Sequence, residues 1–112
     1  MSCVDPEDFA CRESQSVEDY YRADWFYFEP EGPFFSPPAF YLKRGRAFFI
    51  NGRHRTVLLA RHLELLPMAL TQIDDASEPT LARIVERPLA DGDPIVLPDL
   101  PIIGNSAAQE DA

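Results

Sequence analysis

The run Arg46-Ala-Phe-Phe-Ile-Asn-Gly-Arg-His-Arg-Thr-Val-Leu-Leu-Ala-Arg-His-Leu-Glu-Leu-Leu-Pro-Met-Ala-Leu70 reads as strand, tight loop, helix and strand. Ala47 to Ile50 is an apolar run of strand length. Asn51-Gly52 is a strong turn dipeptide, because both residues tolerate positive φ. Thr56 to Leu65 carries a helical apolar pattern, with Val57, Leu58, Leu59, Ala60 and Leu63 on a broad face and Arg61 and His62 off it. Pro67 stops that helix, and Met68 to Ile73 re-enters as a strand.

Arg53, His54 and Arg55 fall where the loop becomes the helix. Free backbone N–H groups and the positive end of the helix dipole gather at the same place. Cationic side chains are locally unfavourable there, so the run calls for an anion: a phosphate, or a carboxylate from this chain or a partner. In the first case Asn51, Gly52, Arg53, His54 and Arg55 form an anion-binding loop. Gly52 lets the backbone approach, the two arginines offer forked donors, and His54 donates a hydrogen bond or, in an enzyme, moves a proton. In the second case Arg53 and Arg55 pair with Asp74, Asp75 or the acidic N-terminal region, because buried arginine usually finds an internal carboxylate.

With the Asn51–Arg55 core, the longer run from Lys43-Arg44-Gly45 to Leu70 resembles the ParB/sulfiredoxin-like superfamily, and within it the plasmid fertility inhibition factor branch. The likeness covers about a quarter of the chain. It implies a phosphate-contacting loop at this junction, and ATPase or nuclease activity in some members. It departs from sulfiredoxins in having Arg53 where they carry a catalytic Cys, so sulfinate reduction is not implied. ParB partition proteins add a helical DNA-binding domain, for which 112 residues leave no room.

Composition narrows the possibilities. The length suits one domain with a modest core. With 46% apolar residues, global disorder is excluded. Eleven prolines argue for short elements and irregular connections rather than a helix bundle. The expected fold is α/β or α+β, a small mixed sheet with two or three helices, over residues 16–104. Residues 1–15 and 105–112 are expected to be flexible acidic ends.

The net charge is −9, which argues against general nucleic-acid binding and favours a basic protein partner. Residues 32–63 hold none of the 19 acids but six of the ten Lys and Arg, so one cationic segment lies between two acidic ones. Lys43, Arg44, Arg46, Asp74 and Asp75 are the candidate partner-binding residues. Only Cys3 and Cys11 are present, without a signal segment or an apolar run of membrane-spanning length, so the expected setting is cytoplasmic with free thiols. No zinc pattern, Walker motif, dinucleotide glycine fingerprint or paired metal-binding histidine is found.

The remaining elements follow from local signals. Ser16-Val-Glu-Asp19 has the form of a capping box, which predicts a helix over Val17 to Ala23. Trp25 to Phe28 has strand character, and Glu29 to Pro33 a turn. The aromatic residues from Trp25 to Phe40 form either core or a partner-binding surface. Lys43 to Arg46 reads as a turn between extended segments. Ser77 and Pro79 start a helix over Glu78 to Arg87 that Pro88 ends. Pro94 to Pro98 and Pro101 to Gly104 read as short extended pieces.

Three function classes emerge, the last of them a nucleotide-binding or DNA-binding module without catalysis, which the strongly negative net charge disfavours. The first is a small inhibitory protein that binds and neutralises another protein, of the fertility-inhibition or toxin-immunity type, acting on a basic toxin or transfer-machinery protein and needing no cofactor. The second is an ATP-dependent or nucleic-acid phosphohydrolase that uses the Arg-His-Arg loop, with ATP as candidate cofactor and His54 as candidate catalytic residue.

Overall fold

The computed structural model describes residues 2–6, 9, 18–27, 33–90 and 92–104. Its strands are β1 (Ser2–Val4), β2 (Tyr21–Arg22), β3 (Phe26–Tyr27), β4 (Phe34–Phe35), β5 (Ala39–Lys43), β6 (Arg46–Asn51), β7 (Leu66–Ile73), β8 (Val85–Pro88) and β9 (Ile102–Ile103). Its helices are α1 (Arg53–Ala60) and α2 (Glu78–Ile84), with 3-10 turns at Ala23–Trp25 and Asp75–Ser77. The class is α+β, a mixed sheet with two helices. The described residues of Met1–Val17 and Pro37–Pro98 form one compact unit, and those of Glu18–Ser36 and Asp99–Ala112 another.

In the first unit a five-stranded sheet runs β6-β5-β7-β1-β8. β5 and β6 form an antiparallel hairpin with Lys43 opposite Arg46. The two-residue turn between them has φ 53° at Arg44 and 76° at Gly45, the backbone twist that suits such a hairpin. β7 lies parallel to β5 on its other side, so α1 carries the chain from β6 over to β7. The strand, loop, helix, strand order expected for Arg46–Leu70 is what the chain adopts, but α1 begins at Arg53 and ends at Ala60, short of Leu65.

The core of this unit is Val4, Phe9, Phe40, Leu42, Val57, Leu58, Leu59, Leu66, Met68 and Ile84, all buried. Burying such side chains contributes about 1.5–3 kcal/mol each before the entropy of ordering them is set against it. Phe9 packs edge-on against Phe40 at 4.9 Å and tilted against Phe49 at 5.6 Å. On the other side of the hairpin, Tyr41 stacks on Phe48 at 5.2 Å.

Several expectations are corrected. Ser2–Val4, placed by composition in a flexible end, is the strand between β7 and β8. Cys3 and Val4 are 6% and 0% exposed, and that burial outweighs the acidity of their neighbours. The helix expected over Val17 to Ala23 is absent from residues 18–23. Tyr21 instead donates its backbone N–H to the Pro101 carbonyl at 2.8 Å, and β2 pairs in parallel with β9. α2 ends at Ile84 rather than Arg87, because Val85–Pro88 leaves the helix to pair with β1, Pro88 taking the end of an edge strand. Pro94 to Pro98 is irregular rather than a strand. The turn over Glu29 to Pro33, most of residues 1–15 and the tail 105–112 lie largely or wholly outside the described residues.

The second unit has its own aromatic cluster. Tyr21, Phe26 and Phe35 meet at 5.3–6.4 Å in edge-on geometry, and β3 pairs with β4 beside them. Among the described aromatic residues from Trp25 to Phe40, Phe40 is buried, Trp25, Phe26 and Phe35 are half-buried, and Tyr27 and Phe34 stay 57% and 43% exposed. Tyr21 is 3% exposed, and its phenol pKa is pushed up to about 12, first by burial and then by the nearby Asp99 charge.

Candidate functional site

β6 delivers Asn51 to the start of α1, and Gly52 makes the joint. Gly52 has φ 89°, in the left-handed region, and accepts both the backbone N–H and the hydroxyl of Thr56 at 2.8 Å on its carbonyl. A Cβ here would lie 2.7 Å from both Cα and Cβ of Pro38. The glycine is thus required by backbone conformation and by close approach.

The three basic residues that follow divide. Arg55 turns inward: it is 8% exposed, and its Nη2 donates to Asn51 Oδ1 at 2.9 Å. Arg53 is exposed and spreads over the Phe49 ring, with its guanidinium carbon 5.5 Å from the centroid, within cation–π range. His54 is exposed. Asn51, Gly52 and Arg55 thus build the joint, while Arg53 and His54 face outward.

Asp74 and its neighbours hold the β5–β6 turn. The Arg44 N–H donates to Asp74 Oδ2 at 2.9 Å, and the Gly45 N–H donates to Ser77 Oγ at 2.8 Å. Ser77 in turn donates its hydroxyl to Asp74 Oδ1, and Thr80 donates to the Gly45 carbonyl at 3.1 Å. These bonds hold the Asp74 carboxyl below its ordinary pKa, the Ser77 hydroxyl first and the Arg44 N–H next. Ser77 was expected to cap α2 with its side chain, but it makes no such cap and is buried, holding the turn instead. Asp74 therefore serves the fold by a backbone contact to Arg44. Asp75, Lys43 and Arg46 are exposed, as is the Arg44 side chain.

A cleft of about 430 Å³ lies along β6, bounded by Ala47, Phe48 and Phe49 on the strand and by Thr80 and Arg83 on α2. Among the described residues that line it, Arg46, Arg53 and Arg83 are cationic and none is acidic. Arg83 was not singled out in the sequence. It lies 30 residues from Arg53, and only the packing of α2 beside the hairpin brings the two to one cleft. A second cavity, about 280 Å³, is lined in part by Cys3, His62 and Arg87, with Arg87 Nη2 3.9 Å from the Cys3 sulfur. No cluster of three or more His, Cys, Asp or Glu suited to a metal occurs among the described residues. Among the described residues, no helix is long and apolar enough to cross a membrane.

No protein-family model matches the chain, and no curated protein or solved structure is significantly similar to it.

Proposed function

We propose that this chain is a small inhibitory protein that binds and neutralises another protein, of the fertility-inhibition or toxin-immunity kind. The observation that carries this reading is the division of the Arg53-His54-Arg55 run. Hydrolysis of a phosphate ester at this loop needs an anion cradle and a proton-transferring group within hydrogen-bond reach of one point. Arg55 is spent on Asn51 inside the joint, and Arg53 lies along Phe49. What the loop offers outward is a binding surface.

The net charge of −9 supports a basic partner, a toxin or a transfer-machinery protein, drawn in at long range. Lys43, Arg44, Arg46 and Asp75 are the exposed members of the candidate contact set. The ParB/sulfiredoxin-like reading belongs to this proposal, supported by the β6–α1–β7 order around Gly52. Cys3 is a free, buried thiol, which suits a reducing compartment and supports a cytoplasmic setting.

The purified chain is to be assayed with ATP and magnesium, and with DNA, beside the Arg53→Ala and His54→Ala variants. The expected result is no phosphate release or strand cleavage above buffer, together with stoichiometric loss of activity in the protein it captures. Hydrolysis by the wild-type chain that His54→Ala abolishes would overturn the reading in favour of the phosphohydrolase.

A further inference from the structure

The β5–β6 hairpin gathers two kinds of side chain on one of its sides. Residues directly opposite in an antiparallel pair share a side, and successive pairs alternate. Phe40 and Leu42 are 0% and 2% exposed, so the pairs Phe40–Phe49 and Leu42–Ala47 lie on the core side. The pairs Tyr41–Phe48 and Lys43–Arg46 lie on the other. There Tyr41 stacks on Phe48, which is 38% exposed. Lys43 and Arg46 are exposed two residues, about 7 Å, further along the strands toward the turn.

Lys43 opposite Arg46 sets like charge against like, which destabilises a hairpin. Among the described residues neither has a carboxylate within salt-bridge distance. Asp74, the acid bonded to this turn, accepts from the Arg44 N–H and the Ser77 hydroxyl. The turn is firmly held all the same, since Ser77 Oγ accepts the Gly45 N–H and Thr80 donates to the Gly45 carbonyl. A chain with 19 acids against ten Lys and Arg thus leaves two cations without an ion pair on a fixed scaffold, beside an aromatic pair. Tyr41 also borders two clefts, one of about 590 Å³ shared with Lys43 and one of about 430 Å³ shared with Arg46 and Phe48.

From this we infer that this side of the hairpin is a docking face for a partner protein, at a spot where the partner presents a pair of carboxylates beside exposed apolar side chains. The inference rests on the protein-binding reading above and names the contact. A partner that is basic as a whole carries such a spot as a local exception. Charge complementarity selects the carboxylates. The stacked rings select their apolar neighbours, and Tyr and Arg are residue types that contribute most at protein contacts. Charges beyond about 8 Å are largely screened at physiological salt, so a compact carboxylate pair is attracted by Lys43 and Arg46. A nucleic acid or an anionic bilayer spreads its charge widely and meets the excess acids as well. A second copy paired through the same face would bring cations to cations.

The test uses the full chain, labelled with nitrogen-15 and titrated with two short peptides while its amide signals are followed. One peptide places two aspartates before a Leu-Phe-Leu run, and the other has lysines in place of the aspartates. The aspartate peptide should bind at least about tenfold more tightly, with the signals of residues 40–49 moving most. The double variant Lys43→Glu, Arg46→Glu, checked for native circular dichroism, should reverse the preference. Phe48→Ser should weaken the aspartate peptide about tenfold. Against the protein that the chain captures, the double variant should bind at least about tenfold more weakly. It carries four more negative charges, so long-range attraction to a basic partner alone would tighten binding instead.

Absence of saturable binding by the aspartate peptide overturns the inference. So does equal affinity for both peptides, or signal changes confined to residues outside the hairpin. Binding to phosphatidylserine vesicles that the double variant abolishes, without peptide binding, would make a bilayer the occupant and overturn it as well. Concentration-dependent dimerisation that Phe48→Ser abolishes would do the same for a second copy. If the peptides fail, or the double variant binds the captured partner as tightly as before, while the chain still neutralises that partner, the face assignment falls and the protein-binding reading stands. If the aspartate peptide binds as expected and the captured partner keeps its activity, the inhibitory reading falls and the docking face stands.

Discussion

Replacing Gly52 by alanine tests the joint between β6 and α1 directly. The new Cβ would sit 2.7 Å from two carbons of Pro38, which is roughly 0.8 Å inside the carbon–carbon contact distance of about 3.5 Å. Pro38 cannot readily retreat, because it is fully buried and its carbonyl accepts the Ala69 N–H at 2.8 Å. Overpacking of this kind costs about 1–3 kcal/mol. The left-handed backbone adds about 1–2 kcal/mol for a residue with a side chain. The sum, about 2–5 kcal/mol, is a large share of the 5–15 kcal/mol that holds a typical domain together. The melting temperature should fall by roughly 8 °C or more, at about 4–8 °C per kcal/mol. Gly92 supplies the control: its φ is 88°, almost that of Gly52, but nothing lies within 4 Å of its Cβ position. Gly92→Ala should therefore show the backbone cost alone, about 1–2 kcal/mol. Urea unfolding of both variants, followed by circular dichroism, separates the two contributions. If Gly52→Ala loses no more than Gly92→Ala, the close approach to Pro38 has no energetic weight and the account of the joint is wrong.

Arg55→Ala should destabilise by about 1–3 kcal/mol through loss of a buried hydrogen bond and of stem packing, whereas Arg53→Ala should cost under about 1 kcal/mol; urea midpoints that rank the two the other way would contradict their assigned positions. Asp74 has a folded pKa below its unfolded value, so the stability it contributes is present above the ordinary carboxylate range and is lost as pH falls through the folded pKa; Asp74→Asn should flatten the acid limb of a stability–pH profile, and an unchanged limb would count against the clamp. Tyr21 has the opposite sign: with a folded pKa of about 12 against 10.0, its contribution is intact below pH 10.0 and is lost as pH rises toward 12, so Tyr21→Phe should remove that alkaline loss.

The legible part of the fold was the part written in local signals. Asn51-Gly52 marked the joint, Lys43–Arg46 marked the hairpin turn, and the apolar spacing of Val57 to Leu59 marked α1, because each depends on residues within a turn of one another. What the sequence hid depended on distant partners. Ser2–Val4 is a strand only because β7 and β8 lie on either side of it. Val85 leaves α2 for the same sheet although its helical pattern continues. Ser16 and Asp19 suggested a helix, but the pairing of Tyr21 with Pro101 and β9 decided otherwise. At the candidate site the run of basic residues was plain, but which of them turns inward was not. Helical geometry sends Arg53 and Arg55 about 200° apart around the axis, so neighbours in sequence point opposite ways.

The position of β1 bears on how the protein is made. Cys3 and Arg87 are register partners across a sequence separation of 84 residues, so β1 has both its neighbours only after β8 has been made. The β5–β6–α1–β7 segment can assemble by itself, with the flank of β7 open until Ser2–Val4 pairs across it. Closing that gap means closing a loop most of the chain long, a slow step for any polypeptide. Newly made chains therefore pass through an interval in which a half-built sheet is open to association with whatever extended segment is nearby.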